Sequence, residues 1–147
     1  MEIDQDFKEF IQLLNSNNVE YLVVGGYAVT AYGHPRYTDD IDFWVRAEGN
    51  NARRIKKALI EFGFGALDIS EEDLLKPDFI IQLGYPPNRI DILTGVSGLT
   101  FDECWKERQE FVFENEKINF ISLRHLRSNK KESGRDKDNL DLKNLPE

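Results

Sequence analysis

The chain has 147 residues, 40% of them hydrophobic and 31% charged, the profile of an ordinary globular domain with enough residues for one core and too few for two. Its net charge of −8 argues against sequence-blind nucleic-acid binding over a broad basic face, while leaving a local basic patch compatible with such a substrate. No apolar run reaches the roughly 18 residues that span a bilayer, Met1-Glu2-Ile3-Asp4 carries no signal-peptide pattern, and the single Cys104 excludes an internal disulfide, so a reducing cytoplasm and no membrane are expected.

Phe7, Phe10, Ile11 and Leu14 recur at three- and four-residue steps, which predicts an amphipathic helix from about Asp4 to Asn15. Asn15-Ser16-Asn17-Asn18 stops it. Tyr21-Leu22-Val23-Val24 is wholly apolar, as in a strand buried on both faces, and ends in the Gly25-Gly26 turn. A short helix over Tyr27–Tyr32 follows, closed by Gly33, and His34-Pro35 predicts an extended exit.

From Asp40 to Val45 the alternation is clean: Ile41, Phe43 and Val45 share one face, Asp40, Asp42 and Trp44 the other. The two-residue period of a strand makes this a half-buried element with its acids outward. Ile55, Ala58, Leu59 and Phe62 mark a second amphipathic helix, ended by Gly63 and Gly65, and Ser70-Glu71-Glu72-Asp73 reads as the capped start of a short turn before Pro77. Phe79–Leu83 and Arg89–Leu93 flank Gly84-Tyr85-Pro86-Pro87-Asn88 as a hairpin. Thr100 with Glu103 is a capping box for a helix to about Arg108, on which Cys104 reads as a half-buried thiol rather than a nucleophile, since no His is near in sequence. A second hairpin, Phe111–Glu114 with Lys117–Ile121, a helix capped by Ser122, and a last helix from about Asp136 to Leu145 complete the chain.

Three features carry chemistry. Asp40 and Asp42, two apart on a strand, point the same way, close enough to share a cation. Two carboxylates so placed repel, and hard divalent ions take such oxygen ligands. In Arg89-Ile90-Asp91-Ile92-Leu93, Asp91 lies on the face of Arg89 and Leu93, and an Asp in an apolar strand is costly unless paired, hydrogen-bonded or on metal. If that strand lies beside Asp40–Val45, three carboxylates meet and suit a pair of metal ions. Gly25-Gly26 lets backbone approach a triphosphate at a helix N-terminus, and is neither a Walker A loop nor a G-x-G-x-x-G. Taken singly, each has a plainer reading: solvated surface acids, an edge-strand Asp, a tight turn.

Together these residues resemble the DNA polymerase beta-like nucleotidyltransferase superfamily, whose signature is a glycine turn and short helix, a D-x-D on the next strand and a third acid on a later one. The stretch Val24–Val29, then Gly33-His34-Pro35-Arg36-Tyr37-Thr38-Asp39-Asp40-Ile41-Asp42, is similar to small single-domain bacterial and archaeal members, including toxin-type enzymes of abortive-infection systems. So is the tail Asn129-Lys130-Lys131-Glu132-Ser133-Gly134-Arg135-Asp136-Lys137-Asp138-Asn139-Leu140-Asp141-Leu142. Gly26 stands where many members have Ser, and Asp136 where a small residue or Pro is common.

The resemblance implies an α/β (α+β) nucleotidyltransferase fold with a mixed, mostly antiparallel sheet flanked by helices. It implies one domain over 1–147, with the helical segment 122–147 completing the nucleotide pocket. It implies transfer of a nucleoside monophosphate from a nucleoside triphosphate such as ATP to a hydroxyl. Asp40, Asp42 and Asp91 would be the catalytic acids and the ligands of Mg²⁺ or Mn²⁺. Gly25, Gly26, Lys130 and Lys137 would contact phosphates, with Asp138 orienting the lysines or the substrate. The acceptor is open among RNA such as transfer RNA, a protein and a small molecule, and a homodimer or cognate partner protein would supply recognition that so short a chain lacks. The rival expectation is a nucleotide-binding regulatory or toxin–antitoxin component that keeps the fold without turnover.

Overall fold

The N-terminal amphipathic stretch forms helix α1, Gln5–Ser16, with the Asp4 carboxylate accepting from the Asp6 amide at 2.8 Å. The structure, a computed structural model, describes residues 3–34, 38–65 and 67–147; the expected exit at Pro35 lies outside the described residues. Strand β1 (Tyr21–Val24) is buried along its whole length, as its unbroken apolar run predicts, and helix α2 (Gly25–Ala31) starts two residues earlier than expected, at Gly25 itself. Strand β2 is Asp40–Val45 and helix α3 is Gly49–Leu59, capped by the Glu48 carboxylate and continued by a π-helical turn over Ile60–Phe64. A short turn at Asp73–Leu75, boxed by reciprocal Ser70 and Asp73 bonds, leads into β3 (Ile80–Leu83) and β4 (Arg89–Leu93). Helix α4 (Phe101–Lys106) carries the Thr100/Glu103 capping box, β5 (Gln109–Phe113) and β6 (Glu116–Phe120) form the second hairpin, and α5 (Leu123–Ser133) and α6 (Asp136–Asn144) close the chain.

The six strands form one open sheet in the order β3-β4-β2-β1-β6-β5. Pairs β1–β2, β3–β4 and β5–β6 are antiparallel, whereas β1–β6 and β2–β4 are parallel, so the sheet is mixed and mostly antiparallel as expected. Parallel neighbours cannot be joined by a tight turn. The chain instead runs from β2 through α3 and out to the edge strand β3 before β4 returns beside β2. That detour places the two acidic strands side by side.

One face of the sheet buries Ile41, Phe43, Val45, Ile90 and Ile92. Phe10 of α1 packs edge-on against Phe43 at 5.5 Å between ring centres, and against Phe62 beyond α3 at 5.2 Å. The buried Asn51 of α3 fastens this layer to the sheet margin: its side chain accepts from the Glu20 amide at 2.8 Å and donates to the Glu20 and Arg46 carbonyls at 3.1 and 2.9 Å. With its side-chain oxygen and nitrogen both hydrogen-bonded, the cost of taking this amide out of water is offset. The opposite face differs from the simple alternation. Trp44 shares that face with the acids but is buried, because Phe101 of α4 covers it at 5.3 Å. Cys104, one turn further along α4, is fully rather than half buried. The helical cover stops short of Asp40, Asp42 and the edge strand β3, and a cleft opens there.

Candidate active site

Where β1 hands over to α2, Gly25 has φ +70°, and a Cβ on it would lie 2.2 Å from Oδ2 of Asp42. Only glycine combines that left-handed backbone with so close an approach. The Asp42 carboxylate therefore rests directly against the turn that precedes it in the chain.

Register decides the rest of the cluster. Val24 pairs with Asp42, Asp42 with Asp91 and Asp91 with Gln82, a single row across β1, β2, β4 and β3. Side chains of such partners share a face, so Asp91 comes beside Asp42. Asp40, Asp42 and Asp91 each offer an oxygen within 4.8 Å of the others. This is the three-carboxylate cluster that strand adjacency was needed to create.

The cluster is strongly polarised. Burial, then the charges of Asp40 and Asp91, then a hydrogen bond with Asp91 push the Asp42 carboxyl up to about 7, against the opposing pull of Lys137. Arg89 stands among the acids. Its Nε donates to Asp91 Oδ1 at 2.8 Å, and its Nη2 donates to Asp91 Oδ2 at 3.0 Å and to Asp40 Oδ2 at 2.7 Å. That bidentate pairing makes a nearly buried Asp91 tolerable. The donor set, three acid oxygens whose mutual repulsion already draws one cation, fits hard divalent ions such as Mg²⁺ or Mn²⁺.

The tail forms the facing wall. Lys130, Asp138 and Asp141 are buried, with the Lys130 ammonium 3.1 Å from Asp138 Oδ1 and 3.1 Å from Asp141 Oδ2. Asp138 also accepts from Ser133 Oγ at 2.6 Å and Arg135 Nε at 2.7 Å. Burial opposes its ionisation, but the bonds from Arg135, Ser133 and Lys130 outweigh it and hold the carboxyl well below the usual range. Lys137 and Arg135 are exposed and face the acids, each coupled electrostatically to Asp42.

A cavity of about 840 Å³ joins these parts. Gly25, Gly26, Asp40, Asp42, Asp91, Lys130 and Lys137 all line it, and Asp138 lies behind its wall. Of the residues around it, Arg89, Arg135, Ile80 and Gln82 stood outside the expected set. Arg89 was detectable, since it precedes Asp91 by one strand period, the spacing that puts two side chains on one face. Ile80 and Gln82 left no such signal, because an edge strand's outward side chains gain a role only from what lies beside them.

No protein-family model matches the chain, and no curated protein matches it in sequence. Its architecture does match solved structures. A candidate nucleotidyltransferase from Thermotoga maritima superposes with a TM-score of 0.64 at 17% identity, over 94% of this chain and 88% of that one. The lincosamide antibiotic adenylyltransferase LnuA, with lincomycin bound, superposes with a TM-score of 0.57 at 16% identity, over 97% of this chain and 96% of that one. At such identities the likeness is one of fold, and the fold is that of nucleotidyltransferase structures.

Proposed function

We propose that this protein is a metal-dependent nucleotidyltransferase that moves a nucleoside monophosphate from a nucleoside triphosphate to an acceptor hydroxyl. The observation that carries this reading is the meeting of Asp40, Asp42 and Asp91 within 4.8 Å beside the Gly25 turn, in a fold shared with nucleotidyltransferases. The three aspartates would hold divalent cations, which when bound would neutralise charge on the triphosphate and lower the pKa of the attacking hydroxyl.

The remaining work belongs to the chain. With no side chain at Gly25, the Asp42 carboxylate sits against the turn, so phosphates held at the acids would lie beside the Gly25-Gly26 backbone. Lys137, already felt by Asp42 across the cleft, offsets charge on the departing pyrophosphate, with Arg135 beside it. Lys130 and Asp138 hold the start of α6 against α5 and so set where those two cations stand. Asp91 takes the proton from the acceptor hydroxyl. The acceptor oxygen bonds to the α-phosphorus as the bond from that phosphorus to pyrophosphate breaks. Such displacement needs little from a protein beyond alignment and charge.

Pyrophosphate release, measured with each nucleoside triphosphate and a panel of hydroxyl acceptors, tests the proposal. Wild type is expected to release pyrophosphate only with Mg²⁺ or Mn²⁺, and Asp42→Ala to release none above background. Equal release by both proteins, or tight nucleotide binding indifferent to metal and without turnover, would overturn it.

A further inference from the structure

The row Val24–Asp42–Asp91–Gln82 orders the cleft along one direction, and the order has a consequence for the acceptor. At a strand spacing of about 4.8 Å, Gln82 stands roughly 5 Å beyond Asp91 and roughly 14 Å from the glycine-turn strand. Asp42 rests against the Gly25 turn, and Arg135 and Lys137 line the same cleft, so the turn and these cations make its phosphate end. In-line displacement requires the attacking oxygen to approach from the side opposite the leaving group. With pyrophosphate at the turn, the acceptor must come in across Asp91, over β3.

The surface waiting there has a definite chemistry. Ile80 is 56% exposed, and it lines the cleft together with Gln82, Leu93 and Val96. Strand β3 reads Ile80-Ile81-Gln82-Leu83 and carries no charge. Its nearest charged neighbour in the row is Asp91, which Arg89 binds together with Asp40. Among the described residues, the cations that line the cleft are Arg89, already bonded to acids, and Lys130, Arg135 and Lys137 of the tail, so a polyanion would meet carboxylates at the β3 end. A molecule with an apolar face and a hydroxyl would cover Ile80, Leu93 and Val96 and find in the Gln82 amide both a donor and an acceptor.

Resting on the nucleotidyltransferase reading, we propose that the β3 strip of Ile80, Gln82, Leu93 and Val96 is the acceptor subsite, and that it takes an uncharged hydroxylated molecule with an apolar face rather than a nucleic acid. Methyl and amide NMR of the full chain, labelled at Ile δ1 methyls and backbone ¹⁵N, tests this with three probes: phenyl β-D-glucopyranoside, a short single-stranded RNA, and Mg²⁺ with a non-hydrolysable ATP analogue.

The glucoside is expected to shift the Ile80 methyl saturably, with Gln82→Ala weakening it about 5-fold, the usual worth of one hydrogen bond, and Ile80→Asp abolishing it. Both side chains are exposed, so both variants should keep the wild-type melting temperature, which separates lost binding from lost fold. The ATP analogue should shift the Gly25 and Gly26 amides and leave Ile80 unmoved. RNA perturbing Ile80 while the glucoside does not, a silent Ile80 with all probes, or displacement of the glucoside by the nucleotide would overturn the subsite. Failure of the analogue to shift Gly25 and Gly26, with the glucoside still on Ile80, would instead count against the nucleotidyltransferase reading alone.

Discussion

Replacing Gly25 by Ala tests whether the glycine turn exists to admit Asp42. The substitution imposes two separable penalties. The left-handed φ of +70° costs a non-glycine residue on the order of 1–3 kcal/mol. At about 2–4 °C per kcal/mol for a domain of this size, the melting temperature should fall by roughly 2–12 °C. The second penalty is local: the new Cβ would stand 2.2 Å from Asp42 Oδ2, and ordinary contact begins near 3.4 Å. The carboxylate must retreat by more than about 1 Å, a displacement that at a reacting centre costs about 100-fold in rate. Gly33→Ala is the matched control, since Gly33 has φ +101° and open space where its Cβ would go. Thermal melts and pyrophosphate release on both variants check the reasoning. Both should lose stability, and only Gly25→Ala should lose activity. A folded Gly25→Ala protein with wild-type rates, or a Gly33→Ala protein equally impaired in turnover, would refute the argument.

Arg89→Gln should cost about 1–2 kcal/mol without metal, because hydrogen bonds to Asp40 and Asp91 are lost. The same variant should gain more melting temperature from added Mg²⁺ than wild type does, since guanidinium and metal compete for the same acids. Lys130→Met removes the ammonium that Asp138 and Asp141 share in the interior and should cost about 3–5 kcal/mol in urea denaturation; a loss under 1 kcal/mol would show the network to be dispensable. Asp138, whose folded pKa is depressed, contributes stability that is present above the unfolded carboxyl pKa of about 4 and disappears as pH falls below it toward the folded value. Asp138→Asn should therefore show a shallower loss of stability between neutral pH and pH 3 than wild type. The Cys104 thiol, pushed up to about 12 by burial and by Glu103 and Glu107, should resist a neutral alkylating reagent at pH 8 until the protein unfolds.

What the amino-acid order determines by itself is whatever depends on neighbours within one turn or one strand period. The four-residue apolar run of β1, the alternation that puts Asp40 and Asp42 on one face, the Thr100/Glu103 box and the steps of α1 all emerged at or within a residue or two of their observed limits. These are local consequences of backbone geometry, and local geometry is written in spacing. Tertiary structure decided what spacing cannot encode. Asp91 joins Asp42 only because β4 returns parallel to β2 through a detour by the sheet edge, a choice set by packing of the whole chain. The same adjacency brings Arg89 onto two acids and sets Gln82 next to Asp91. In the tail, Lys130 and Lys137 look alike in sequence, yet helix packing buries one between two aspartates and leaves the other facing the cleft. A lysine's charge is a property of the residue; whether it meets a carboxylate or an open cavity is a property of the elements packed around it.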